Sequence, residues 1–301
     1  MGAGVRELGR GNTGTALLDA SPAAYWNPAL LPFRRKPELG FGAELRSLDR
    51  NGGFVSFQGR LAGNLGVGLA VVNRGDLDIS AYDRNENPIG TARPQSFASF
   101  LGLGIRTSRR NSLGATVQWY SSNLDVGEGV GNIVFVGGFN LGWYRRFGDS
   151  LNVAVVVRNL GINTDLSSDF DQTVLGEDTG PGFNASATDF FPKTLVVAAE
   201  WRKTFWSRPW AFSGEVLDYQ LKRNLIVMDA NFHQQALRLG AEWEVAERVH
   251  LRTGMDKGNI TFGFGYAYRW GRRLLHFDYA LIMERGWTTF NPYAAGFRTE
   301  F

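Results

Sequence analysis

From Ile260 to Trp270 every second residue is large and apolar: Ile260, Phe262, Phe264, Tyr266, Tyr268 and Trp270 share one face of a strand. The other face carries only Thr261, Gly263, Gly265, Ala267 and Arg269. Side chains alternate with period two along a strand, so this segment divides an apolar surround from an interior of small and polar groups. A soluble sandwich turns its large side chains inward against a second sheet. A row of aromatics backed by glycine is what a membrane barrel presents to lipid. The phase continues through Leu275, Phe277, Tyr279, Leu281 and Met283, opposed by His276, Asp278, Ala280 and Glu284.

The end of the chain repeats the pattern. Tyr293, Ala295, Phe297, Thr299 and Phe301 suit lipid, whereas Gly296, Arg298 and Glu300 suit water. A terminal aromatic strand is typical of bacterial outer-membrane barrels, and Gly296, Phe297, Thr299 and Phe301 are expected to serve as a C-terminal assembly signal for the outer-membrane insertion machinery.

Composition fits that class and excludes others. With 38 Gly, 22 Phe, 9 Trp and 9 Tyr but no Cys in 301 residues, the chain is aromatic, glycine-rich and free of thiols. The mean hydropathy of −0.19 is too polar for a helical membrane protein, and no apolar run approaches the roughly 18 residues of a spanning helix. Absence of Cys suits an oxidising envelope compartment. The net charge of +3 and the lack of a basic-aromatic stripe give no footprint for nucleic acid. Met1 to Val5 carries no export signal, and the sequence is expected to be the mature form of an exported protein.

The period-two template yields about fourteen strands, near 38–48, 53–61, 64–73, 96–106, 112–121, 132–145, 150–160, 193–203, 209–219, 235–246, 248–256, 258–270, 273–284 and 293–301. Connections after even-numbered strands are short, and most carry Arg or Lys. The alternate set holds the long stretches 74–95, 122–131, 161–192, 220–234 and 285–292, the two longest of them acidic. Short turns at one end and long loops at the other are the barrel rule. The expected fold is therefore an all-β transmembrane antiparallel barrel of about fourteen strands over 38–301, in the bacterial outer membrane and surrounded by its lipid.

The inward phase of the last five strands is charged: Arg238, Glu242, Glu244, His250, Arg252, Asp256, Arg269, His276, Asp278, Glu284, Arg298 and Glu300. Opposite charges on neighbouring strands can pair across the ladder, which predicts a lumen charge network. Early strands present Gly40, Gly42, Gly66, Gly68, Gly102, Gly104 and Gly114 instead. Glycine on a strand marks either bending or the close approach of another backbone. Residues 1–37 show no sustained alternation and contain Trp26, Leu30 and Leu31 as anchors. They are expected to form a plug or hatch inside the barrel.

Two N-terminal stretches carry a resemblance. Gly4 to Ala16 (GVRELGRGNTGTA) and Asp19 to Ala29 (DASPAAYWNPA) resemble the signature of the PorV/PorQ group within the wider FadL-like outer-membrane barrels, with echoes at Val72 to Asp76, Arg158 to Gly161 and Leu237 to Trp243. The resemblance implies a fourteen-stranded barrel with an internal hatch to which Asn27, Pro28 and Ala29, beside Trp26, belong. It implies a subunit of a type IX-like protein secretion or surface-attachment assembly that binds partner or cargo proteins. The FadL side of the same superfamily implies a channel for hydrophobic small molecules, and a structural barrel of a surface assembly is the third reading. The chain departs from the group at Gly9 to Asn12, where relatives often have Gly-Met-Gly-Gly, and no residue of a fatty-acid site carries over.

Catalytic patterns are sparse. His233, His250 and His276 are the only histidines, and neither Gly-x-Ser-x-Gly nor His-Glu-x-x-His occurs. His276 and Asp278 share a face, as an acid-base pair would, and are read instead as members of the charge network. Asp83 to Asn87 hints at a calcium loop, but Pro88 stands where that loop requires Gly. No enzyme activity, metal or cofactor is expected.

Overall fold

A computed structural model describes residues 3–46, 50–75, 79–82, 88–126, 131–161, 192–225, 228–284 and 292–301. It contains fifteen strands: β1 (Glu38–Leu45), β2 (Asn51–Ala62), β3 (Leu65–Gly75), β4 (Ile79–Tyr82), β5 (Pro88–Arg106), β6 (Asn111–Val126), β7 (Gly131–Phe147), β8 (Leu151–Leu160), β9 (Lys193–Phe205), β10 (Arg208–Leu225), β11 (Met228–Ala246), β12 (Val249–Asp256), β13 (Asn259–Trp270), β14 (Arg273–Met283) and β15 (Tyr293–Glu300). β1 pairs with β15 and β3 pairs directly with β5, so fourteen antiparallel strands close into a ring and β4 is added to β5 alone. A closed barrel satisfies every strand edge internally, the condition for crossing lipid with strands.

The phase read from the sequence is the phase of the wall. Phe262, Phe264, Phe277, Tyr279 and Leu239 are between 44% and 48% exposed on the outside, whereas Arg252 and Asp278 are buried within. All fourteen ring strands coincide with expected ones, but their ends differ. β4 lies in a stretch expected to be loop, and the expected loops 122–131 and 220–234 are largely strand, since β6 reaches Val126 and β11 begins at Met228. The backbone ladder continues through these stretches, pairing Asn123 with Ile133 and Lys222 with Asn231, although the sequence there carries no sustained apolar-polar alternation. Asp83 to Asn87 and the acidic stretch 165–178 lie outside the described residues.

The two ends of the barrel are distinct. Gly63–Asn64, 107–110, 148–150, Trp206–Ser207, Glu247–Arg248 and Gly271–Arg272 make tight connections at one end, called here the turn end. Lys257–Gly258, between β12 and β13, makes a tight connection at the opposite, loop end.

Residues 3–33 contain two short helices, α1 (Val5–Gly9) and α2 (Ala23–Trp26), and a 3-10 helix at Pro28–Phe33. α1 was not anticipated from the sequence. Nearly every residue of this segment is buried. α1 packs on β12–β15, while α2 and the 3-10 helix pack on β2, β3 and β5–β7, so the segment touches opposite walls of the same ring.

Candidate functional site

The interior is built from the contact between this segment and the wall. Arg6 of α1 grips Glu242 with two bonds, Nε to Oε2 at 2.9 Å and Nη2 to Oε1 at 2.7 Å. Glu242 also accepts from Arg252 Nε at 2.6 Å, and Arg252 Nη1 donates to Asp278 at 2.7 Å. That last bond crosses β13, which is possible because Gly263 and Gly265 leave the guanidinium room to pass. Asp278 then accepts from Arg298 Nε at 3.1 Å, Arg298 lies 3.9 Å from Glu38, and Glu38 lies 3.4 Å from Arg34. The chain of charges leaves the segment at Arg6 and returns at Arg34. Buried guanidinium-carboxylate pairs of this geometry are strong only while complete, because a lone buried charge is costly.

Other expected members take up satellite places. Arg238 pairs with Asp256 at 2.7 Å and Glu215 at 3.7 Å, and Asp256 also accepts from Asn12 Nδ2 at 2.8 Å. His276 Nε2 lies 3.6 Å from Glu300, apart from the main chain of charges. His250 and Glu244 line the turn-end mouth. Arg269 does not join: it sits exposed on the turn-end rim and makes no ion pair among the described residues, because β13 has by then passed the last buried layer.

Sequence reasoning missed half of the partners. Glu215 accepts from the N–H groups of Gly14 at 2.8 Å and Thr15 at 2.7 Å, and Glu200 lies 3.5 Å from Arg10 and 2.9 Å from Arg202. Both carboxylates were visible in the inward phase of β9 and β10. Arg6, Arg10 and Asp19 carried no signal, since their segment has no period. Arg10 is fully buried with its Nε and Nη1 lacking hydrogen-bond partners, and burial lowers its guanidinium below the ordinary value against the opposing pull of Glu242 and Glu200. Burial likewise pushes the Glu7 carboxyl up to about 7, although Arg298 and Arg6 oppose the rise. One Glu7 oxygen accepts from the Ser21 N–H at 3.1 Å, and the other has no hydrogen-bond partner.

The second half of the segment is held differently. Asn27 is extended at φ −161°, accepts from the Ala29 N–H at 3.0 Å, and donates to the carbonyls of Thr15 at 3.1 Å and Trp143 at 3.4 Å. It thereby caps the 3-10 helix, with Pro28 in the first position where no N–H is needed. Ser112 donates to the Ala29 carbonyl at 2.5 Å, and Thr116 to that of Ala24 at 2.9 Å. Trp26 is fully buried, donates from Nε1 to the Ala3 carbonyl at 2.6 Å, and has the Arg158 guanidinium 5.7 Å from its ring centre. The wall here is glycine because the strap lies against it: a Cβ on Gly114 would strike the backbone of Pro28 and Ala29, and one on Gly66 that of Leu31.

Among the described residues, cavities flank the packed interior towards both ends. A polar one of about 580 Å³ opens at the turn end, lined by Arg6, Asp19, Arg202, Glu242, Glu244 and His250 among others. An apolar one of only about 10 Å³ lies towards the loop end beside Ala3, Val5, Phe54 and Val72. At the closing seam, Phe297 stands between Phe41 and Phe277 on the outer face with ring centres 5.2 and 5.1 Å away. Thr299 is buried in the same outer phase, Phe301 donates its N–H to the Pro37 carbonyl at 3.1 Å, and Gly296 faces inward beneath Val5.

No family model and no curated sequence matches the chain. Among solved structures it is similar to the toluene transporter TbuX of Ralstonia pickettii, with a TM-score of 0.63 at 14% identity over 99% of this chain and 98% of that one. The toluene transporter TodX of Pseudomonas putida gives 0.63 at 12% identity over 99% and 98%. A FadL homologue of Pseudomonas aeruginosa gives 0.60 at 12% over the same shares. At such identities the likeness is one of fold: the chain has the FadL-type barrel architecture.

Proposed function

We propose that this chain is a non-enzymatic outer-membrane barrel of FadL type whose residues 1–37 act as a hatch, and that it passes a small hydrophobic molecule when the hatch shifts. The observation that carries the reading is the contact of one short N-terminal segment with opposite walls of a ring whose architecture is shared with two toluene transporters. Trp26, Asn27, Pro28 and Ala29 are the strap of that hatch, and the charges from Arg6 to Arg34 are its latch. Phe297, Thr299 and Phe301 serve insertion into the membrane. The test is uptake of toluene and of a long-chain fatty acid by cells making the protein. Protein-dependent uptake that rises in Asn27→Ala supports the proposal, and uptake equal to that of cells without the barrel contradicts it.

A second reading has its own support. The interior is lined by paired charges, and the apolar cavity holds only about 10 Å³, which suits a PorV/PorQ-like barrel that binds envelope or secreted proteins in a type IX-like system. Co-purification of large surface proteins without solute uptake would favour it.

A further inference from the structure

The outer face changes chemistry at the turn end. Lys203 follows Trp201 in the outward phase of β9, Arg208 precedes Trp210 and Phe212 on β10, Arg145 lies between Trp143 and Phe147 on β7, and Arg273 opens the outward phase of β14. All four are exposed, and none has an acidic partner among the described residues. Each stands beside aromatic groups. The Arg145 guanidinium is 4.8 Å from the Phe147 ring centre, and that of Arg273 is 5.3 Å from Phe301. Lys203 is paired in register with Trp210, and Arg208 with Phe205. At the loop end, among the described side chains, Lys193 alone is a basic residue in the outward phase.

The hairpin between β9 and β10 sharpens this arrangement. Trp206 and Ser207 adopt φ of 48° and 59°, a conformation that costs a bulky residue energy and that hairpins usually give to Asn or Gly. The strained turn projects Trp206, 86% exposed, beyond a row in which Trp210 stacks on Phe212 at 5.9 Å and on Trp243 at 5.0 Å. Aromatics of this kind occupy the boundary between hydrocarbon and headgroups. Cations in the same phase, interleaved with the aromatics as Arg145 and Lys203 are or beyond them as Arg208 is, lie where phosphate groups lie.

We infer that the turn-end edge of this barrel binds the phosphate headgroups of anionic phospholipid, with Arg145, Lys203, Arg208 and Arg273 as the contacting cations and Trp206 as the interfacial anchor between two of them. The charge complementarity is local: the cations sit in the lipid-facing phase, lack carboxylates, and are concentrated at one edge. This inference does not depend on what the lumen transports.

The full chain is placed in vesicles of equal phosphatidylglycerol and phosphatidylcholine, extracted in mild detergent, and its retained lipids are counted by native mass spectrometry. The parent is expected to keep phosphatidylglycerol over phosphatidylcholine by roughly fivefold or more. The variant R145Q/K203Q/R208Q/R273Q is expected to lose that preference, and Lys193→Gln to retain it. Each single variant, checked for heat-modifiable migration as a sign of folding, should lose part of it, so misfolding of the quadruple variant does not decide the outcome. Equal retention of both lipids by the parent, an unchanged preference in folded variants, or loss of a bound acidic protein with no change in lipid would each overturn the inference.

Discussion

The two halves of the N-terminal segment reach the same interior by different means. Residues 3–21 meet the β10–β15 side through charge: Arg6 on Glu242, Asn12 on Asp256, and the N–H groups of Gly14 and Thr15 on Glu215. Residues 22–33 meet the β2–β7 side through packing, where Leu30, Leu31 and Pro28 lie against glycine and the polar contacts are uncharged: Ser112 and Thr116 donate to main-chain carbonyls, and the Ala23 N–H donates to Gln58. Charge pairs fail when one partner is lost or titrated, whereas a strap lying on glycine fails only when the wall grows. One half is therefore suited to release and the other to staying in place.

The largest effect is expected from Glu242→Ala, which leaves Arg6 and Arg252 without their shared carboxylate at a cost of about 3–5 kcal/mol. Limited proteolysis should then cut residues 3–21 while the barrel still migrates as folded; an uncut segment would mean that charge does not hold this half. Gly114→Val is the matching change on the other wall. A Cβ there meets main chain that cannot rotate away, so a cost of about 1–3 kcal/mol and protease exposure around Ala29 are expected. Asn27→Ala removes the cap and the donations to the Thr15 and Trp143 carbonyls, for about 1–3 kcal/mol, with higher ion conductance in planar bilayers as the readout.

The smallest effect separates the halves most cleanly. The Glu7 carboxyl is raised by burial from 4.5 to about 7, so the folded segment binds its proton more tightly than the unfolded one. Its contribution is complete below about 4.5 and is lost as pH rises through about 7. Hydrogen exchange of residues 3–21 should accordingly quicken between pH 5 and 8 in a manner abolished by Glu7→Gln, while residues 22–33 show no such step. A parallel response of both halves would dissolve the distinction.

The sequence made the wall legible because its strands border two media, and alternation is the direct imprint of that border. It lost the strand extensions and β4, where no sustained apolar-polar alternation is written. The charged wall could be read as a list of inward residues, but not as a circuit. Arg252 reaching Asp278 across bare β13 depends on register and on Gly263 and Gly265 together. Arg6 and Arg10 were invisible as partners since α1 is too short to show a period. Arg269 was assigned by parity alone, and parity does not say where the buried layers end.

The central claim, that the N-terminal segment lies inside the ring, is tested most directly by a disulfide. Thr13 Oγ1 and Ser213 Oγ of β10 lie 2.7 Å apart, both buried, and the chain has no cysteine of its own. In the double variant Thr13→Cys, Ser213→Cys, folded protein is expected to form the cross-link under mild oxidation, since the two side-chain termini already meet, and to yield no free thiol to a water-soluble reagent. Rapid labelling of the thiol introduced in place of Thr13 by that reagent in a folded barrel, with no cross-link formed, would contradict the account.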